Sequence, residues 1–97
     1  MSIETITNIK GTAEIAPKGY SSWKALWETQ TGRRASSCHK IGCTNMYDRI
    51  VGAHVQIEGY GKYWYIVPLC HSDNMSKGSF RAMGPFVPVN PERSIIW

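Results

Sequence analysis

The sequence predicts a small α+β domain with one N-terminal helix and a central β-hairpin. Its 97 residues are the length of one domain, so residues 1–97 are taken as a single unit. Apolar and aromatic side chains at positions 20, 23, 26 and 27 fall on one face of a helix. Two runs rich in β-branched and aromatic residues flank "GYGK" at 59–62, which is typical of a hairpin.

The N-terminal third predicts a strand, a loop and then the helix. Residues 3–9 are rich in Ile and Thr, as strands are, and residues 10–20 contain Pro17 and two glycines. The helix is expected at about 21–31, with Ser21 or Ser22 as its N-cap and Gly32 at its end. We interpret its aromatic face as core.

The hairpin is expected from a strand at 49–58 and a returning strand at 62–69. Pro68 lies near the end of the second strand, where a missing backbone donor is tolerated. Residues 75–84 suggest a short helical turn at most. The proline-containing stretch from residue 85 onward starts extended and suggests an edge strand.

Charge and composition bound the function only loosely. The net charge of +4 permits an acidic partner such as nucleic acid, but ordinary solvated charge explains it equally well. The opening "MSIETITNIK" does not resemble a signal peptide, and no apolar run is long enough to span a membrane, so we expect a cytoplasmic protein without membrane contact. Cytoplasmic thiols stay reduced, which favours ligands or core residues over disulfides. A Cys38–Cys43 disulfide stays open for an exported chain.

The three cysteines have a spacing that suits a metal ion. Cys38 and Cys43 bracket "HKIG", where Gly42 allows a turn that points both sulfurs inward. Cys70 is followed three residues later by Asp73, and the hairpin fills the interval between the two pairs. Structural zinc takes four such ligands, so the sequence predicts one structural Zn²⁺.

The fourth ligand has alternatives. We expect Asp73, with His71 next and His39 also open. The remaining alternative is that the cysteines are buried thiols without a metal.

This stretch resembles the zinc-containing branch of HNH (ββα-metal) endonuclease-like proteins and related treble-clef fingers. Those proteins carry a Cys pair, a His-bearing strand and a pattern of the type V-P-L-C-x-x-C-N-x-x-K. The matching residues here are Val67, Pro68, Leu69, Cys70, Asn74 and Lys77. The resemblance implies a zinc-finger-like core at about 38–80, in a degenerate member. Asp73 stands where the family has its fourth cysteine, and four residues rather than two separate the first pair.

The resemblance also implies a position for a catalytic base. His54 matches the histidine that activates water in the family, where a second ion such as Mg²⁺ stabilises the phosphate. The preceding residue is Ala53, although the family usually has a metal-binding Asp or His there. We therefore expect no efficient cleavage and keep a metal-dependent HNH nuclease as an alternative. Without catalysis, His54 is a structural or surface residue.

Basic residues lie around both halves of the motif, interleaved with Tyr60, Tyr63 and Trp64. This mixture suits phosphate contact and base stacking, so we expect weak DNA or RNA binding. The candidate nucleic-acid contacts are Arg33, Arg34, Lys40, Arg49, Lys62 and Lys77. The alternative is a protein-binding inhibitor or effector domain that uses exposed aromatic residues as anchors.

Overall fold

A computed structural model describes residues 2–9, 17–44, 48–90 and 95–96 of the chain. It is an α+β domain, and within the described residues its elements are the strands β1 (Ile3–Asn8), β2 (Ile50–Ile57), β3 (Trp64–Cys70), β4 (Ser79–Met83), β5 (Val87–Asn90) and β6 (Ile95–Ile96) and the helices α1 (Trp23–Thr31) and α2 (His71–Asn74). The strands form one sheet in the order β4-β1-β2-β3-β5-β6, and every neighbouring pair is antiparallel. The expected N-terminal helix and central hairpin are both present, and the short α2 is a second helix that the sequence did not predict.

Helix α1 begins and ends at the expected signals. The Ser22 side chain accepts a hydrogen bond from the Ala25 amide at 3.0 Å and so satisfies one of the free donors of the first turn. Gly32 ends the helix in the left-handed conformation at φ 68°, and its amide bonds to the carbonyl of Glu28. The predicted aromatic face is confirmed as core, since Trp23 and Trp27 are buried.

The two faces of the β2–β3 hairpin belong to two different cores. The inner core lies on one face of the sheet, and the outer core lies between the opposite face and α1. The buried residues of the inner core are Ile6, Ala53, Val55, Ile57, Val67, Leu69 and Ala82. Those of the outer core are Trp23, Leu26, Trp27, Ala35, Ile66, Val87 and Val89. Because both faces are covered, the sequence of β3 is nearly all apolar and does not alternate between apolar and polar residues.

The sheet must curl strongly, because β4 and β5 are close in sequence but far apart in strand order. Four strand spacings of about 4.8 Å would separate them by about 19 Å in a flat sheet. The four steps from Met83 to Val87 span at most about 14 Å. The link between them also packs against the helix, since the Trp27 indole donates to the carbonyl of Pro85 at 2.8 Å.

Residues 39–41 close the gap that curling leaves between β3 and β4. We call this stretch the closing segment. The His39 amide donates to the carbonyl of Pro68 in β3, and the carbonyl of His39 accepts from the Met83 amide in β4, both at 2.9 Å. Lys40 forms a bridge with Ala82 on the same edge of β4. The turn between the first two cysteines is therefore joined to both sides of the sheet.

One sequence expectation is wrong, and others fall partly on residues that the structure does not describe. The stretch 75–84, expected to hold a helical turn at most, contains β4, which is a strand because it pairs along its whole length with β1. Most of the expected loop at 10–20 and parts of the C-terminal stretch lie outside the described residues. Neither described helix has the length and apolar character needed to cross a bilayer.

Candidate metal centre

Three segments bring the four predicted ligands together. Cys38 and Cys43 lie at either end of the turn that contains the closing segment. Cys70 is the last residue of β3, and Asp73 lies in α2, which follows directly. The Cys70 sulfur accepts the amide of Asp73 at 3.4 Å and thereby caps α2. The turn, the hairpin and the start of a helix therefore converge on one point.

The spacing of the donor atoms fits a single tetrahedral ion. One ligand atom from each of Cys38, Cys43, Cys70 and Asp73 lies within 4.8 Å of all the others. Zinc at about 2.3 Å from each sulfur holds tetrahedral sulfurs about 3.8 Å apart. The sulfurs of Cys43 and Cys70 are 3.9 Å apart. Asp73 Oδ2 lies 3.2 Å from the sulfur of Cys38 and 3.1 Å from that of Cys70, slightly inside such a tetrahedron.

The electrostatics of the group show what a cation would change. Burial raises the pKa of the Cys38 thiol, and burial likewise raises the pKa of Cys70, while the neighbouring Asp73 adds to both shifts. Burial alone raises the pKa of Asp73, but hydrogen bonds from the three thiols and from Lys40 outweigh it and lower that pKa to about 2. Without a cation, Cys38 and Cys70 are thus neutral thiols beside one carboxylate, and binding of a metal ion would release their protons.

Residues outside the sequence motif position the helix that carries Asp73. The side-chain Nδ2 of Asn8 in β1 donates to the backbone carbonyls of Asp73 and Ser76, at 2.8 and 3.1 Å. Asp48 Oδ2 accepts the amide and the hydroxyl of Ser72, and these hydrogen bonds lower the pKa of Asp48. Asn8 lies 65 residues from Asp73 in sequence, so no local pattern could have identified it.

Lys40 was expected on a nucleic-acid surface, but its ammonium is engaged with the ligand group. Its Nζ donates to Asp73 Oδ1 at 3.3 Å, and it lies 5.0 Å from the centre of the Phe80 ring. The position of Lys40 between two cysteines was the one signal in the sequence for this role.

His71 and His39, the two alternatives to Asp73 as fourth ligand, lie outside the group of four. His71 is exposed, and its Nδ1 accepts from Arg49 Nη2 at 3.3 Å. His39 is half-buried, and its Nδ1 donates to the carbonyl of Met83 at 2.8 Å. Its ring stands edge-on to Trp27, and burial lowers its pKa. His39 is therefore part of the packing, and it is not a metal ligand within the group of four.

His54, the candidate catalytic base, is buried in the outer core. Its ring stands edge-on to Trp23 at 4.5 Å and to Trp64 at 5.7 Å. The side chain is 7% exposed, and its Nε2 has no hydrogen-bond partner within the described part of the chain. A general base must reach the water that it activates, directly or through one other water, and this arrangement offers His54 no such access.

The remaining basic candidates are exposed but do not form one cluster. Arg33 lowers the pKa of His39 electrostatically, so it lies near the closing segment. Arg49 flanks the ligands, since its carbonyl accepts the amide of His71. Lys62 lies in the hairpin turn, beyond the end of β3 that is roughly 20 Å from Cys70. The exposed members of the set are Arg33, Arg34, Arg49, Lys62 and Lys77.

Comparison of the chain with protein-family models, with curated proteins and with solved structures finds no match in any of the three. The HNH and treble-clef resemblance therefore stays a prediction from the motif.

Proposed function

We propose that this chain is a small zinc-binding domain in which Cys38, Cys43, Cys70 and Asp73 hold one structural ion. The observation that carries the proposal is the convergence of four donor atoms within 4.8 Å of one another. Three soft thiolates favour zinc over magnesium or calcium, and four protein ligands leave no open position, as in structural rather than catalytic sites.

Metal content is the direct test. Protein purified without chelator should contain about one zinc ion per chain by elemental analysis, with iron measured in parallel. Cys70→Ser should lose the ion, because it removes a thiolate ligand, whereas its hydroxyl can still cap α2. Metal-free wild-type protein with no affinity for added zinc would contradict the proposal.

The fourth ligand can be identified with a pair of isosteric or near-isosteric variants. Asp73→Asn removes the charge but keeps the shape, and it should weaken zinc binding by roughly 100-fold, since even outer partners of a ligand contribute 10–100-fold. His71→Asn is the matched control, because its ring lies outside the group of four. The reverse ranking of the two variants would make His71 the ligand.

We propose as a second function that the surface around this centre binds DNA or RNA weakly and without cleavage. Support comes from exposed basic residues that lie within six positions of a ligand in the sequence: Arg33, Arg34, Arg49 and Lys77. The burial of His54 between two tryptophans and the absence of a ligand atom on Ala53 argue against the nuclease alternative.

Salt dependence tests this second proposal. If four phosphates are contacted, affinity for a duplex should fall roughly 100-fold between 50 and 200 mM salt. Arg33→Ala combined with Arg34→Ala should weaken binding, whereas Lys62→Ala at the far end of the hairpin should change it little. A complex with a protein that salt leaves intact, together with no DNA or RNA binding at low salt, would favour the protein-binding alternative.

A further inference from the structure

We infer that Lys40 positions Asp73 in the metal centre, by holding the outer carboxylate oxygen so that a single oxygen faces the ion. This inference rests on the zinc site proposed above and assigns a role in it to a residue that is not a ligand.

The two oxygens of Asp73 have different neighbours. Oδ2 faces inward, 3.2 Å from the sulfur of Cys38 and 3.1 Å from that of Cys70. Oδ1 faces the Lys40 ammonium at 3.3 Å. An ion among the sulfurs would therefore meet Oδ2 alone, which is the one-oxygen contact that a four-coordinate site requires.

Lys40 is itself held in place on both backbone and side chain. Its carbonyl accepts the Cys43 amide at 3.2 Å, and its backbone bridges Ala82 in β4. Its ammonium lies 5.0 Å from the centre of the Phe80 ring, within the range of a cation–π contact. Its side chain is 32% exposed and that of Asp73 only 13%, so the pair is partly shielded from water. The geometry of the ammonium is thus set before any ion binds.

The charge of the site gives Lys40 a second effect. Zinc bound by three thiolates and one carboxylate carries a net charge of minus two, and an adjacent ammonium reduces the total to minus one. Charge in a partly buried site is costly unless it is compensated. Lys40 should therefore strengthen zinc binding by charge as well as by orientation.

The test compares two substitutions at this position. Lys40→Met keeps an unbranched apolar side chain but removes the charge, and it should weaken zinc affinity by about 10–100-fold in competition with a chromophoric chelator. Lys40→Arg keeps a positive donor within reach of Oδ1 and should restore most of the affinity. Lys18→Met removes an exposed lysine from the loop before α1 and is the matched control for net charge.

Cobalt provides a readout that a purely structural role would not change. With Co²⁺ in the site, wild type and Lys40→Arg should show the intense visible absorption of a four-coordinate ion. Lys40→Met should show a weaker, shifted spectrum, because the freed carboxylate can bind through both oxygens and raise the coordination number.

The outcomes distinguish the proposed role of Lys40 from the proposed zinc site. Zinc-binding wild type with an equally tight Lys40→Met variant and an unchanged cobalt spectrum overturns the role of Lys40 alone. A Lys40→Arg variant as weak as Lys40→Met also overturns it, since a retained charge should rescue. Wild-type protein that takes up no zinc overturns the proposed site itself.

Discussion

At the scale of single residues, His54 is a titratable side chain held between aromatic rings. Trp23 and Trp64 cover it edge-on, and burial lowers its pKa to about 4. Desolvation disfavours the charged imidazolium, so the neutral form is the one that packs in the outer core. The unpartnered Nε2 is consistent with a neutral ring. A proton on that nitrogen would find no hydrogen-bond acceptor among the described residues.

The stability of the protein should therefore decrease in acid through His54. The unfolded chain takes up a proton near pH 6.5 and the folded chain only near pH 4. Stability is complete above pH 6.5, falls between these values and reaches a loss of about 3 kcal/mol below pH 4. NMR titration of the His54 ring, assigned by its absence in His54→Phe, should give a midpoint near 4.

The same variant provides a control on stability. The difference in unfolding free energy between His54→Phe and wild type should grow in favour of the variant as the pH is lowered from 7 to 4. Loss of the proposed metal ion in acid would affect both proteins equally and would cancel from this difference. A ring midpoint near 6.5, with no such growth, would contradict burial of the neutral form.

At the scale of elements, the contact between α1 and β2 depends on a glycine. A Cβ added to Gly52 would lie 2.5 Å from the amide nitrogen of Lys24 and 2.6 Å from the carbonyl carbon of Trp23. Both atoms are backbone, so the first turn of the helix would have to move away from the strand. Gly52 thus allows α1 to pack close enough to bury Trp23 against His54.

Gly52→Ala should destabilise the domain by about 1–3 kcal/mol, the usual range for overpacking. Denaturant unfolding would measure it, and tryptophan fluorescence would report the displacement of α1. Gln56→Ala, on the same face of the same strand, is the matched control and should stay within about 0.5 kcal/mol of wild type. Equal effects of the two substitutions would show that the close approach is not needed.

The elements that the sequence predicted are those with local signals. Helix α1 has its caps and its aromatic face within one short stretch, and the hairpin has its turn between its two strands. Strand β4 has no such signal, because its partner is β1, where Ile3 pairs with Met83 across most of the chain. Antiparallel pairing between segments so far apart leaves no pattern in a short stretch of sequence. The prediction of a helical turn at most for residues 75–84 was therefore wrong.

The candidate metal centre was likewise predictable only in part. The spacing of the cysteines and of Asp73 identified four residues that the structure brings within 4.8 Å of each other. The side chains that orient Asp73 were not predicted as its partners: Asn8 lies in the first strand, and Lys40, although it lies between the first two cysteines, was expected to contact nucleic acid. Their roles depend on how the sheet curls, and composition around each residue does not encode that.

At the scale of the whole molecule, the candidate metal centre and the closure of the sheet share one segment. The turn that carries Cys38 and Cys43 also carries His39, which bonds to both β3 and β4. The two hydrophobic cores do not include the ligand group as a major component, although Cys38 packs against the inner one. The sheet should therefore persist without metal, while the closing segment should lose much of its restraint.

Removal of the proposed zinc ion should accordingly lower stability without abolishing the fold. Zinc at a thousandfold excess over its Kd contributes about 4 kcal/mol, so a strong chelator should lower the melting midpoint by roughly 20 °C. Hydrogen exchange should locate the change: the amides of His39, Ile41 and Met83, which join the closing segment to the sheet, should lose protection first. The β1–β2 ladder around Ile6 and Ile57 is the internal control and should keep its protection, because it lies in the inner core. A uniform loss of protection across the sheet would instead mean that the whole domain folds only with its ion, as isolated zinc fingers do.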